Sequence, residues 1–207
     1  MYYELHCHST FSDGDSTPLQ MVSYAKTFLG GIAITDHDEI MGSLEALNYA
    51  TPDFEVIPGM EVSSKDGHIL ALYVEKKVDR DLSAKETVER IHALGGLAVA
   101  AHPFDKIRKG VGDLIAEVEF DAVEVVNGHT FGNIRDPINV CRDVGIPMVG
   151  GSDAHALKEV GSVKVAFEKD FRKALLSGQV KIQSKPKIEL LLNHGVGALR
   201  RRIKKRM

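Results

Sequence analysis

The segment ELHCHSTFSDG, residues 4–14, sets His6 and His8 two positions apart around Cys7, with Asp13 five residues further on. Imidazole and carboxylate groups in this pattern can hold a divalent cation or move protons, and the same residue types recur in short blocks down the chain. His37 stands in TDHD, Glu61 in GMEVSS, His68 in GHILALY, His102 in AHP, and Asp153 with His155 in GGSDAH. A single histidine at a strand end is most simply a hydrogen-bonded structural residue. Six histidines and three carboxylates at one place are not, because each buried ionisable group is costly unless cations compensate. Of the other histidines, His92 falls on the helix-like ETVERIHAL and His194 near the tail, whereas His129, in VVNGHTFG, falls near the same strand ends.

Bringing these blocks together is the task of the elements between them. Apolar runs predict strands over residues 2–8, 31–35, 55–62, 68–73, 97–101, 122–126, 147–150 and 162–167. Amphipathic stretches predict helices over 18–29, 41–50, 83–94, 111–118, 134–144 and 171–177. Thr17 before Pro18 reads as a helix cap, SAKE at 83–86 as a capping box, and KDG at 65–67 as the turn of a hairpin. Strands that alternate with helices predict an α/β barrel or a doubly wound sheet. No GxGxxG follows the first strand and no GxxxxGK[ST] occurs, which weakens dinucleotide and P-loop readings. In a parallel barrel the C-terminal strand ends converge on one mouth, where residues distant in sequence meet. Positions i and i+2 share a strand face, so His6 points with His8, and Asp153 with His155 if the strand reaches them. Cys7 then points the other way, into packing.

Composition sets the frame. The 207 residues are 43% hydrophobic and 27% charged with a net charge of −3, values of an ordinary globular protein with no general affinity for polyanions. Two cysteines, Cys7 and Cys141, without a CxxC pair point to a reducing cytoplasm. No signal segment and no apolar run of about 20 residues is seen, so no membrane association is expected. The chain reads as one domain, 1–207, whose residues 186–207 form a basic amphipathic C-terminal helix carrying Ile188, Leu191, Leu192, Val196, Leu199 and Ile203 at helical spacing. Its Arg and Lys cluster is most simply a solvated end; steering of nucleic acid is the alternative.

Taken in order, HCHSTFSDG, TDHD, GMEVSS, AHP and GGSDAH resemble the PHP (polymerase and histidinol phosphatase) superfamily over roughly residues 1–170. That resemblance implies a distorted (β/α)7 barrel with a three-metal centre at the C-terminal mouth of its strands. Carried over by motif, the first ion would take His6, His8, Glu61 and Asp153. The second would share Glu61 and add His68 and His102, and the third would take Asp13, His37 and His155. Nitrogen and oxygen donors without thiolate suit Mn, Fe or Zn. Three divalent ions outweigh three carboxylates and one bridging hydroxide, and the residual positive charge attracts a phosphate dianion. The expected reaction is hydrolysis of a phosphate monoester by a metal-bridging hydroxide, with His129 as candidate acid. Lys106, Arg108 and Lys109 in HPFDKIRKG, with Asn127 and Arg135 in NGHTFGNIRD, are the candidate substrate contacts. The substrate class is a phosphorylated small molecule: a nucleotide, a nucleoside bisphosphate or an oligonucleotide end. Histidinol phosphate hydrolysis and a nucleic-acid-associated subunit with a basic tail are the alternatives.

Overall fold

The computed structural model describes residues 1–131 and 135–192. Within them the chain runs β1 (Tyr2–Glu4), α1 (Pro18–Ala25), β2 (Gly31–Ala33), α2 (Met41–Leu47), β3 (Glu55–Ile57), β4 (Gly59–Ser63), β5 (His68–Leu72), α3 (Ala84–Ala93) and β6 (Leu97–Ala100). It continues through β7 (Ala122–Asn127), α4 (Pro137–Val144), β8 (Met148–Gly151), β9 (Val163–Ala166), α5 (Phe171–Leu176) and β10 (Lys181–Ser184). Two 3-10 turns, Gly112–Ala116 and Leu157–Glu159, fill the remaining connections. Local chemistry fixes several boundaries. Thr17 and Gln20 form a capping box at the start of α1, where Pro18 needs no N–H partner, and Ser83 with Glu86 does the same for α3. Gly145 ends α4 in the left-handed conformation.

The fold is α/β with mixed sheets. One sheet has the order β10-β9-β1-β2-β3 and the other β4-β5-β6-β7-β8. The parallel pairs β1–β2, β2–β3, β6–β7 and β7–β8 match the strand–helix alternation, but β4–β5, β5–β6, β1–β9 and β9–β10 are antiparallel. Strand pairing does not form one continuous closed ring among the described residues. The two sheets instead meet at isolated parallel bridges, Cys7 with Ala154 and His37 with Glu61.

Several boundaries differ from the sequence expectation, among them the helix expected over 111–118, which is a 3-10 turn. The run 55–62 is two strands, because Pro58 lacks an N–H and separates β3 from β4, which pair in different sheets. The strand expected over 2–8 narrows to Tyr2–Glu4 and then a single bridge at Cys7. Residues 181–184 form β10 on β9, unannounced because KIQS is mostly exposed and has no apolar alternation. Most of the tail helix expected over 186–207 lies outside the described residues; 187–192 are helical.

Apolar packing leaves the strand ends to polar groups. Met60 and Val62 pack with Val88 and Ile91 of α3, which turns Glu61 between them to the opposite face. Cys7 is buried with Met21, Val22, Ile32 and Ile34, and its thiol donates to Ala33 O at 3.2 Å. It packs; His6 and His8 face the other way. Glu4 then ties the strand ends together: its fully buried carboxylate accepts the backbone N–H groups of Leu5, His6 and Ser152 at 3.0 Å each and of Gly161 at 2.7 Å, plus the Ser152 hydroxyl. Burial pushes its pKa up, against the downward pull of those donors. Replacing Glu4 by Ala orphans these donors and should cost about 3 kcal/mol or more in urea denaturation. A loss below about 1 kcal/mol would show that the carboxylate does not hold this seam.

Candidate metal centre

Five connections and two strands deliver side chains to one rim. His6 and His8 follow β1, His37 follows β2, Glu61 lies in β4, His102 follows β6, His129 follows β7, and Asp153 and His155 follow β8. His68 begins β5 rather than ending it, but β5 runs antiparallel to β4 and β6, so its start lies at the same rim. In register His68 faces Ser63, which shares a strand face with Glu61. Asp153 and His155 come together by a different device from strand alternation. β8 ends at Gly151, and Asp153 takes a left-handed φ of 53°; His102 likewise has φ 32°. Such conformations are unfavourable for non-glycine residues and concentrate at functional sites.

Glu61 is the centre of the cluster. Its Oε2 lies 3.3 Å from His6 Nε2, 3.4 Å from His8 Nε2 and 3.0 Å from His37 Nδ1. Its Oε1 lies 3.0 Å from His68 Nδ1 and 3.2 Å from His102 Nε2. Asp153 Oδ1 approaches His8 Nε2 at 3.2 Å, and His6 Nε2 and His155 Nδ1 at 3.7 Å each. Asp13, more than half exposed, stands 3.3 Å from His155 Nε2 and 4.0 Å from His37 Nε2. All nine residues expected to be ligands therefore lie at one place, and all but His6 and His8 line a cavity of about 310 Å³ together with Ile107, Arg108 and His129.

The donors fit divalent cations. Bonds of about 2.1 Å put neighbouring donors about 3.0 Å apart in an octahedron and about 3.4 Å apart in a tetrahedron, the spacing found around Glu61. His6 Nε2, both His8 nitrogens, Glu61 Oε2 and His68 Nδ1 are buried without a hydrogen-bond partner, so these lone pairs converge without satisfying one another. Donor atoms within 4.8 Å of each other form overlapping groups: His8–Asp13–His37–His155, His6–His8–Glu61, His6–His102–Asp153, His37–Glu61–His68 and His129–Asp153–His155. At His8 and at the two central carboxylates, electrostatics agrees with ligand chemistry. Burial, aided by His155, pushes the His8 imidazole down to about 3, so it presents neutral nitrogens. Burial would raise the Glu61 and Asp153 carboxyls, but surrounding imidazoles, His6 foremost, and Arg108 for Asp153, hold both well below the usual range.

Behind these donors stands a layer that sequence reasoning missed. Glu124 accepts from His102 N at 2.9 Å and Asn127 Nδ2 at 2.9 Å, and meets His6 Nδ1 at 3.0 Å, which fixes the ring so that Nε2 faces the centre. Gly151 is required beside it: a Cβ there would sit 2.4 Å from His6 Cβ and 2.5 Å from Glu124 Oε1. Asp36 accepts from Ser9 N, Ser9 Oγ and Ser12 Oγ at 2.6–2.7 Å and so shapes the loop that carries Asp13. Glu159 accepts from His155 N at 2.9 Å and Ala156 N at 3.0 Å. A signal existed for Glu124 and Glu4, each an acid within a short apolar strand.

The candidate substrate residues scatter more. Arg108 lies at the cavity and donates to Asp153 Oδ2 at 2.7 Å. Lys106 and Lys109 are exposed on the same loop. The Asn127 amide is engaged by Glu124 and Asp153. Arg135 pairs with Asp113 and lies over the Phe104 ring at 4.6 Å, and it does not line the cavity.

This geometry has counterparts. The PHP domain model matches residues 4–138, and a PHP-associated model matches residues 138–180. The chain belongs to the PHP domain family. It is 33% identical over 142 residues to an uncharacterised protein of Methanocaldococcus jannaschii, covering 62% of this chain and 83% of that one. A two-domain protein from Bacteroides vulgatus, described as containing a predicted PHP-like metal-dependent phosphoesterase, superposes with a TM-score of 0.73 at 20% identity, over 89% of this chain and 64% of that one. At that identity the likeness speaks for the fold alone. A 5'-3' exoribonuclease of Salmonella typhimurium is 36% identical over 105 residues, covering 46% of this chain and 36% of its own length.

If the rim binds cations, metal should stabilise the fold. At a free Mn²⁺ or Zn²⁺ concentration about 100 times the dissociation constant, one site contributes about 2.7 kcal/mol, or a rise in Tm of roughly 5–10 °C for a chain of this size. Chelation should reverse the rise and Glu61→Ala should abolish it. An unchanged Tm with Mn²⁺, Fe²⁺ and Zn²⁺ alike would contradict the assignment.

Proposed function

We propose that this protein is a metal-dependent phosphoesterase that hydrolyses phosphate monoesters in the cytoplasm, on a distorted seven-stranded barrel scaffold with three divalent ions at its mouth. The observation that carries the reading is the convergence of buried, unpartnered imidazole and carboxylate atoms around Glu61 at the wall of one small cavity. His6, His8, Glu61 and Asp153 would hold one ion, Glu61, His68 and His102 a second, and Asp13, His37 and His155 a third. When bound, Mn²⁺, Fe²⁺ or Zn²⁺ supplies positive charge for a phosphate dianion and acidifies water for attack on phosphorus.

The protein's own groups do the rest. Glu61 turns one oxygen to three imidazoles and the other to two, and so fixes the spacing between neighbouring sites. Arg108 reaches the cavity from the loop after β6 and would orient the phosphoryl oxygens as a planar donor. Lys106 and Lys109 beside it would meet further negative charge on the leaving group. A cavity of about 310 Å³ has room for a phosphoryl group and part of a nucleoside. Nucleotides, nucleoside bisphosphates and oligonucleotide ends are the substrates this favours. The similarity to an exoribonuclease, which covers 36% of that protein, supports the last of these.

The test is turnover by the Mn²⁺-loaded protein of p-nitrophenyl phosphate, a nucleoside monophosphate, a 3',5'-bisphosphate and a 5'-phosphorylated oligoribonucleotide. At least one should be hydrolysed, and Glu61→Gln or His102→Ala should lower kcat by about 10³-fold or more. Failure on every substrate by a protein shown to contain metal would overturn the proposal.

A further inference from the structure

His129, at the rim, presents its ring nitrogens to Arg108 and Glu159 rather than to Glu61. Its Nδ1 lies 2.8 Å from Arg108 Nη2, and its Nε2 lies 3.4 Å from Glu159 Oε2. A guanidinium has five N–H donors and cannot accept. Nδ1 must therefore be the acceptor, and the ring proton belongs on Nε2, facing the Glu159 carboxylate. The same guanidinium uses Nη1 on Asp153 Oδ2 at 2.7 Å, while Asp153 keeps Oδ1 for the imidazoles of His6, His8 and His155. The backbone is tied as well: Asp105 Oδ1 accepts Ile107 N at 3.1 Å and Arg108 N at 3.2 Å, and Thr130 Oγ1, next to His129, donates to Asp105 Oδ2 at 3.0 Å. Arg108 remains 22% exposed, at the cavity wall.

We infer that His129 is a positioning residue, a neutral acceptor that with Asp153 clamps Arg108 into a fixed anion receptor, and that Glu159 holds the required tautomer. A ring whose Nδ1 is occupied by Arg108 and whose one proton points at Glu159 does not aim that proton at a leaving oxygen in the cavity, so this reading replaces the acid role expected from sequence. The preorganised fork leaves guanidinium N–H groups for phosphoryl oxygens at small entropic cost. The anion-receptor half of this inference rests on the phosphoesterase reading; the clamp itself does not.

Two variants separate the roles. In His129→Asn the side-chain oxygen can occupy the Nδ1 position and accept from Arg108, but it can supply no acid; His129→Ala removes both. Binding of inorganic phosphate to the Zn²⁺-loaded proteins should be near wild type for His129→Asn and weaker by roughly ten-fold for His129→Ala, the value of one hydrogen bond to a charged group. In turnover, His129→Ala should raise KM for p-nitrophenyl phosphate and an alkyl phosphate alike. Equal loss of phosphate affinity in both variants, or loss in neither, overturns the clamp, as does a kcat loss confined to the alkyl phosphate or a lower zinc stoichiometry in His129→Ala. Nitrogen NMR of the zinc-loaded protein, with His129 assigned by its variant, should show the proton on Nε2; an Nδ1–H ring or an imidazolium at neutral pH overturns it independently. Wild-type protein that binds no phosphate sinks the phosphoesterase reading and the receptor role, and the NMR result then decides the clamp alone.

Discussion

A single buried carboxylate poses the problem that the rest of the molecule answers. Glu61 has five imidazole nitrogens within 3.4 Å, in a place with almost no access to water. Such a gathering is unfavourable on desolvation grounds unless charge is supplied to it. Protons can supply some: Glu124, Asp153 and Glu61 pull the His6 imidazole well above its ordinary value against the opposing effect of burial. Protons do not use lone pairs that converge from several residues, and divalent cations do.

The scaffold is arranged around that need. Glu4 and Glu124 are buried acids that do not line the cavity; both collect backbone N–H groups near the strand ends, and Glu124 also holds the Nδ1 side of the His6 ring. Without them the segments between β1 and His8, and between β8 and His155, would have fewer fixed points. The left-handed backbone at His102 and Asp153 belongs to the same economy, since both residues leave the strand direction in order to face inward.

Much of this was legible in the sequence because strand alternation carries direction. His6 and His8 at i and i+2, with Cys7 between them, needed only the two-residue period to be assigned a face, and the buried thiol against Ala33 shows the other side. The ordered motifs placed all nine candidate ligands at one rim. What alternation cannot reveal is pairing direction. His68 reaches the rim because β5 is antiparallel, and Asp153 with His155 reach it through a turn; neither follows from a parallel barrel rule. Glu159 and Asp36 carry no spacing signal: each is a lone acid, and its partners, the His155 and Ala156 N–H groups for Glu159 and Ser9 with Ser12 for Asp36, follow no pattern that sequence displays. Arg135 was drawn in by proximity to the NGHT loop, but its charge is met by Asp113. Strand β10 has too little apolar surface to announce itself.

Anomalous diffraction from crystals of the protein grown with Mn²⁺ or Zn²⁺ addresses the central claim most directly. The account predicts peaks about 2.0–2.2 Å from Glu61 oxygens and from the nitrogens of His6, His8, His68 and His102 that face them. Metal bound elsewhere on the molecule, with Glu61 still surrounded by imidazoles alone, would contradict it.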